Sequence, residues 1–166
     1  MPVFVRTGLR RTSLRLPVIR NLIERILSAA GESNAALSVE FIGDRRMRRL
    51  NAQYRGRNMT TDVLAFAMRE APGPRSTLLG DVVISVPRAA KQAAEQRHPV
   101  KHELAVLLIH GILHLLGYDH ERSTLEARRM RRKECALLLA VMPIPAMSKP
   151  RAAKSLRQCA AAIAKH

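Results

Sequence analysis

The sequence predicts an α+β fold, a single small domain in which helices pack on one mainly four-stranded sheet. The length of 166 residues suits one domain, and a hydrophobic content of 47% is enough for a core. Strand-like and helix-like segments follow one another in the order β-α-β-α-β-β-α-α-α. That order is typical of one sheet with helices packed on it.

Four segments have strand character. They lie at residues 2–6 (PVFVR), 36–43 (ALSVEFIG), 63–67 (VLAFA) and 79–86 (LGDVVISV). The second alternates as a half-buried strand does, and the others are short and rich in β-branched or apolar residues. We expect Pro87 to end the fourth strand and the Pro/Gly-rich stretch at 69–77 to form a loop before it.

Five segments have helix character. They lie at residues 16–31, 44–55, 88–97, 100–117 and 123–141. Asp44 is expected to cap the second helix and Ser123 the fifth. The inner stripe of the second helix is expected to contain Met47, Leu50 and Tyr54. The fourth is long and largely apolar, which predicts a buried helix.

The two cysteines, Cys135 and Cys159, make no disulfide framework and no paired metal motif, which fits a reducing compartment. No apolar run reaches the roughly 18 residues of a membrane span, and we expect a cytoplasmic protein with no membrane partner. The composition changes at residue 143, where prolines precede alanines with scattered basic residues. We therefore expect a domain at 1–142 and a basic appendage at 143–166, either partly helical or disordered.

The charge is strongly positive, with 29 Lys and Arg against 13 Asp and Glu and a net charge of +16. A chain this basic most often meets nucleic acid or an anionic surface. The runs RRMRR (45–49) and RRMRRK (128–133) are each either a solvated helix face or part of an RNA cradle. Aromatic residues make up only 3%, so no platform for stacking bases is visible.

The stretch HGILHLLGYDH holds three of the six histidines at the end of the long apolar helix. His110 and His114, four residues apart, share one helix face and can share one metal ion. Gly117 can end the helix in a left-handed conformation, so that His120 returns to the same ion. Three imidazoles suit zinc and leave a fourth position for water. A single histidine here would more often be a hydrogen-bonded core residue, but three with this glycine predict a metal site.

The spacing is also that of the metzincin proteases, HExxHxxGxxH, with one difference. The residue after the first histidine is Gly111, where those proteases carry the Glu that acts as general base. A peptidase would therefore lack its proton acceptor. Hydrolysis of a phosphodiester depends more on stabilising charge on the phosphate. A structural zinc site is the other interpretation, but such sites usually have four protein ligands.

The motif resembles the signature of the YbeY family of bacterial rRNA maturation factors, described as zinc-dependent, single-strand-specific endoribonucleases. LNAQYRGRNMTTDVLAF (50–66) and LLGDVVIS (78–85) resemble two further family blocks, in the same order along the chain. The resemblance covers roughly residues 36–140. It implies a metal-dependent hydrolase of RNA that acts in rRNA processing and ribosome quality control, with ribosomal RNA and the small ribosomal subunit as partners. No DNA partner is expected.

The resemblance also implies roles for individual residues. His110, His114 and His120 match the zinc ligands, one Zn²⁺ per chain, and Arg55 matches the arginine that the family is thought to use in catalysis. Asp62 and Asp81 match family positions with structural roles, and Asp119 either orients a histidine or forms the turn. The chain departs from the family at four positions, which affect the cleft edge rather than the histidines: Met59, Thr60, Ala65 and Ala67.

Two functional interpretations remain beside the peptidase. In the first, zinc activates water and Arg55 stabilises the charge on the phosphate. In the second, the chain is a non-catalytic, zinc-stabilised RNA-binding factor of ribosome assembly. RNA binding without metal-dependent cleavage would distinguish the second from the first.

Overall fold

The computed structural model describes residues 2–68 and 77–148. In these ranges the elements follow the predicted order. They are β1 Val3–Thr7, α1 Leu16–Ala29, β2 Ala36–Ile42, α2 Asp44–Arg55, β3 Val63–Ala67, β4 Leu78–Ser85, α3 Val86–Glu95, α4 Val100–Leu115 and α5 Thr124–Ala140. The α+β class with one four-stranded sheet is confirmed.

The sheet is mixed, with the strand order β1-β2-β4-β3. β2 pairs in parallel with β1 and with β4, whereas β3 is antiparallel to β4. β2 and β4 are therefore the central strands, and their side chains are buried on both faces. This explains why β4 is nearly continuously apolar, as strands covered on both faces are.

The two faces of the sheet carry cores of unequal size. On one face Val39, Phe41, Val82 and Ile84 join the large core formed with α1, α4 and α5. On the other face Ile42, Leu64 and Val83 pack with Met47 of α2 in a small separate cluster. α2 and α4 thus lie on opposite sides of the sheet.

α4 is buried on almost every side, as its composition predicted. Gly111 is the point of closest approach to the sheet. A Cβ atom built there would lie 2.7 Å from Cγ1 of Val82 and 3.4 Å from Cγ2 of Val63. The missing side chain therefore lets the helix lie directly against β3 and β4. The position where a metzincin protease has its catalytic Glu is here a packing position.

Two expectations for α2 were wrong. The residue that caps the helix is Gly43, without a side-chain hydrogen bond. Asp44 is instead the first helical residue, and its Oδ1 accepts hydrogen bonds from the hydroxyls of Ser85 (2.6 Å) and Thr60 (3.1 Å). Tyr54 is 59% exposed and packs edge-on against the ring of Phe66. Its place on the inner stripe is taken by Asn51, whose buried amide donates to the carbonyl of Met59.

Serine residues cap two helices, α3, which directly follows β4, and α5. β4 ends at Ser85, one residue earlier than expected, and α3 begins at Val86 with Pro87 in its first turn. The Ser85 hydroxyl accepts from the backbone N–H of Arg88, so Pro87 starts a helix as well as ending a strand. The expected cap of α5 is confirmed, because the Ser123 hydroxyl accepts from the N–H of Glu126.

The chain continues to pack after α5. Ile144 and Met147 are buried, and the carbonyl of Met147 accepts from the N–H of Arg15 at 2.8 Å. The division at residue 142 stays a prediction. The rest of the expected appendage, 149–166, and most of the expected loop, 69–76, lie outside the described residues. Within the described ranges, no helix combines the length and the apolarity needed to cross a membrane.

Candidate metal centre

The end of α4 and the turn after it place the three histidines. His110 and His114 lie on the last turns of the helix. Gly117 adopts φ +94°, a conformation that favours glycine. Its N–H donates to the carbonyl of His114 and the N–H of Tyr118 donates to that of Leu113, both at 3.0 Å, which is a Schellman-type end. The chain reverses at this point and returns His120 to the helix.

The structure brings the three imidazoles together. The ring centroids of His110 and His114 lie 4.6 Å apart, and the His120 centroid lies 5.3 Å from each. One ring nitrogen from each histidine lies within 4.8 Å of the other two. The Nε2 atoms of His110 and His114 are 3.0 Å apart. This arrangement could hold one metal ion.

Burial and neighbouring positive charges keep the imidazole of His114 neutral. Burial lowers the pKa of His114 from 6.5 to about 4, with further lowering by His110, His120 and Arg55. His114 is therefore unprotonated at neutral pH. A metal binds only the neutral form of imidazole, so no proton has to be displaced from His114.

A buried carboxylate orients the first histidine. Glu134 of α5 is 5% exposed, and its Oε1 lies 2.6 Å from Nδ1 of His110. The carboxylate accepts the Nδ1–H, which leaves the lone pair of Nε2 directed towards the other histidines. Carboxylates commonly support metal-binding histidines in this way.

Glu134 is the residue that the sequence analysis missed, and the sequence did contain a signal. It shares the buried side of α5 with Met130, Leu137 and Leu138. Glu134 follows Met130 by four residues and precedes Leu137 by three, a spacing that places it on the inner stripe of the helix. A buried carboxylate at such a position requires a partner. The basic run around it concealed this pattern.

An unpartnered nitrogen of His120 indicates that the three histidines suit a metal ion. Nδ1 of His120 is buried and has no hydrogen-bond partner among the described residues. A buried nitrogen without a partner costs free energy. Together with two neighbouring imidazoles, one of them oriented by a carboxylate, it makes a donor set suited to a divalent transition metal.

The histidines open onto a cavity of about 320 Å³. Arg55, the last residue of α2, lines the same cavity although it lies on the opposite side of the sheet from the core of α4. Gly56 ends α2 with φ +66° and so leaves Arg55 at the rim. The structure therefore brings together the four residues that the sequence singled out.

The family model described as "Endoribonuclease YbeY" matches residues 10–141. The chain belongs to the YbeY family. The matched region contains all three histidines, Arg55 and Glu134. It also spans the sheet strands β2 to β4 and the helices α1 to α5 up to residue 141.

Curated YbeY-family relatives agree with this assignment. "Endoribonuclease YbeY" of Geobacter metallireducens is 44% identical over 137 residues, 81% of this chain and 91% of the relative. The protein of that name from Anaeromyxobacter sp. strain Fw109-5 is 49% identical over 122 residues, 74% of this chain and 62% of the relative. The solution structure of TM1509 from Thermotoga maritima shares the fold, with a TM-score of 0.59, 24% identity and coverage of 84% of this chain and 88% of that one.

Asp62 and Asp119 of this YbeY-family chain make structural contacts. Oδ1 of Asp62 accepts the N–H of Val63 at 2.8 Å and its Oδ2 accepts from Gln92. Asp119 accepts the N–H of Glu121 and pairs with Arg122 at 3.3 Å. The backbone hydrogen bond is the main cause of the lowered pKa of Asp119. Of the two roles expected for Asp119, these contacts are those of a turn.

One of the four departures from the YbeY pattern lies at the metal cavity. Ala65 lines the metal cavity, and Ala67 is exposed at the end of β3. Thr60 donates to Asp44, and Met59 is 59% exposed. The contacts of the histidines with Glu134 and with each other, and the hydrogen bonds that end α4, involve none of these residues.

Proposed function

We propose that the chain is a zinc-dependent, single-strand-specific endoribonuclease that acts in ribosomal RNA maturation and ribosome quality control. The observation that carries the proposal is the convergence of three imidazoles and Arg55 on one open cavity. The family model and the curated relatives are named for endoribonuclease activity, which supports the same class of reaction.

Each residue of the centre has a proposed role. His110, His114 and His120 hold one Zn²⁺ per chain, and Glu134 keeps His110 in the binding tautomer. Zinc bound there supplies the Lewis acidity that activates water for hydrolysis at neutral pH. Arg55 binds the scissile phosphate with its fork of donors and stabilises the negative charge that develops on it.

The substrate proposal depends on charge. With a net charge of +16, the molecule attracts RNA electrostatically, and its arginines suit phosphate contacts. The arginines of the two basic runs, on α2 and α5, are mostly exposed. The family resemblance narrows this to RNA, and we propose ribosomal RNA and the small ribosomal subunit as partners, in the cytoplasm, with no DNA and no membrane partner. Residues 1–142 would form the hydrolase domain and 143–166 a basic appendage.

The test compares purified variants on a labelled single-stranded RNA. We expect His114→Ala to abolish cleavage and zinc binding while RNA binding is retained. Arg55→Gln should keep zinc and lower kcat by about 100-fold, as loss of a donor to developing charge does. Arg57→Gln is the matched control, because Arg57 is exposed nearby but does not line the cavity, and it should cleave almost normally.

Two results would contradict the proposal. Equal cleavage by the wild type and His114→Ala would place the activity elsewhere. Zinc-loaded wild type that binds RNA without cutting it would instead support the non-catalytic assembly factor. The peptidase interpretation predicts cleavage of casein, which we do not expect because Gly111 supplies no base and its position has no room for one.

A further inference from the structure

A second cavity lies at the start of α2 beside the loop that leads to β3. Its volume is about 520 Å³, within the usual range of small-ligand pockets. The lining consists of Asp44, Arg45, Arg48, Asn58, Met59 and Thr60. No part of the mechanism proposed above uses these residues.

The two cavities are lined by consecutive residues of one loop. Thr60 lines the second cavity and Thr61, the next residue, lines the metal cavity. Successive Cα atoms are about 3.8 Å apart, so one short stretch of backbone separates the two. The loop at residues 60–61 is thus common to the walls of both cavities.

The loop that forms the second cavity is held in place by hydrogen bonds. The buried amide of Asn51 donates to the carbonyl of Met59 at 2.8 Å. The hydroxyl of Thr60 donates to Asp44 at 3.1 Å, and Nε of Arg48 donates to Asn58 at 2.9 Å. These contacts tie the middle of the loop, residues 58–60, to α2, so the cavity exists before any ligand binds.

The lining combines an apolar surface with positive charge. Met59, 59% exposed, offers a flexible apolar contact where aromatic platforms are scarce in this chain. Arg45 and Arg48 are exposed, and they outnumber the one carboxylate, Asp44, which already accepts from two hydroxyls. Unpaired bases stack on guanidinium planes or pack between aromatic or apolar side chains, and phosphates bind to arginines.

We propose that this cavity is a nucleotide subsite for single-stranded RNA. An unstacked base packs on Met59, and an adjoining phosphate binds Arg45 and Arg48. The inference rests on the proposed function, because it assumes that RNA occupies the neighbouring metal cavity. It assigns a binding role to Met59, one of the residues at which this chain departs from the family pattern.

The experiment measures Kd by fluorescence anisotropy, with a labelled RNA of about 12 nucleotides, a length within known site sizes. The test variants are Met59→Ala and Arg48→Gln. Their controls are Met68→Ala, an exposed methionine that lines neither cavity, and Arg49→Gln, the next arginine on α2. Each control removes the same atoms or the same charge as its test variant.

We expect Met59→Ala to raise Kd for the single strand about fourfold, the effect of losing one buried methylene-sized apolar contact. Its affinity for duplex RNA should be unchanged, because paired bases do not leave the stack. Arg48→Gln should weaken single-strand binding at least about fivefold and reduce the salt dependence by close to one phosphate contact. The controls should change Kd less than about twofold.

Equal effects of test and control variants would overturn the subsite, since charge and hydrophobicity would then act without regard to position. Arg45→Gln provides a second test, because Arg45 lines the cavity while the hydrogen bond to Asn58 comes from Arg48. If the wild type binds RNA but does not cleave it, the hydrolase proposal fails, whereas the ratios of Kd still decide the subsite. If the wild type binds no single-stranded RNA, both proposals fail.

Discussion

At the scale of single residues, the hydrogen bond between Glu134 and His110 connects two helices through the candidate centre. The two atoms are 2.6 Å apart and both side chains are nearly buried. A buried carboxylate needs such a partner, and the imidazole gains a defined tautomer from it. Glu134 thus positions His110, and in the proposed centre it would act on the metal through that histidine.

We expect Glu134→Ala to lower the affinity for zinc by about 10- to 100-fold, the usual cost of losing an outer-shell carboxylate. Glu134→Gln, which keeps an acceptor oxygen without its charge, should lose less. Competition with a chromophoric chelator measures this directly, without any assay of activity. Glu126→Gln removes one negative charge elsewhere on α5 and is the control. Unchanged zinc affinity in Glu134→Ala would show that His110 needs no support.

At the scale of elements, the packing of α4 against the sheet determines where the histidines lie. Val82 and Val63 meet the helix at Gly111, next to His110 in the chain. Any side chain at this position would push the helix away from β3 and β4. Because valine is stiff at χ1 and Val82 is fully buried, its methyl groups have little room to move.

Gly111→Ala should therefore destabilise the fold by about 1–3 kcal/mol, the typical cost of overpacking. Urea denaturation measures this as a lower transition midpoint. Val82→Ala removes the methyl groups that the new Cβ would meet. The double variant should therefore lose less free energy of unfolding than the sum of the losses in the two single variants. Additive losses in the double variant would show that the contact at Gly111 is not tight.

At the scale of the whole molecule, buried or half-buried histidines lie at both ends of α4 in an otherwise highly charged protein. At the N-terminal end, His102 is buried, and His98 Nε2 lies 3.0 Å from Oε2 of the fully buried Glu103. Burial lowers the pKa of His102, and the charges of Lys101 and His98 lower it further. The folded protein therefore keeps His102 neutral at a pH where an unfolded chain would protonate it.

The sign of the pH dependence follows from these lowered values. Below the unfolded pKa of 6.5 the unfolded state binds more protons, so acidification destabilises the fold. For His114 the loss continues down to about pH 4. We expect the free energy of unfolding of the metal-free protein to fall between about pH 7 and pH 5. His102→Gln should make this slope shallower in urea titrations, and a slope equal to that of the wild type would exclude a contribution from His102.

Much of the organisation follows from local patterns in the sequence. The α+β class, the order of elements and the burial of α4 come from the spacing of apolar residues, which depends only on the helical and strand periods. The three histidines converge for a similarly local reason. Two lie one helical turn apart, and a glycine at φ +94° returns the third within six residues.

Contacts between distant residues were beyond such patterns. We predicted the roles of Asp44, Tyr54 and Pro87 from their neighbours in the chain. In the structure Asp44 accepts from Ser85 and Tyr54 packs on Phe66, while Pro87 lies in the first turn of α3. The strand order β1-β2-β4-β3 likewise depends on pairings between segments far apart in sequence.

The sequence by itself determined the elements, the histidine trio and, through motifs, the family resemblance, because each is encoded within a few turns of chain. Only the tertiary structure decided that Glu134 supports His110, that Gly111 is a packing position, and that Arg55 lines the same cavity as the histidines. The physical reason is that these contacts join separate helices and loops. Their distances are set by how the elements pack around the sheet, which residue spacing along one segment does not specify.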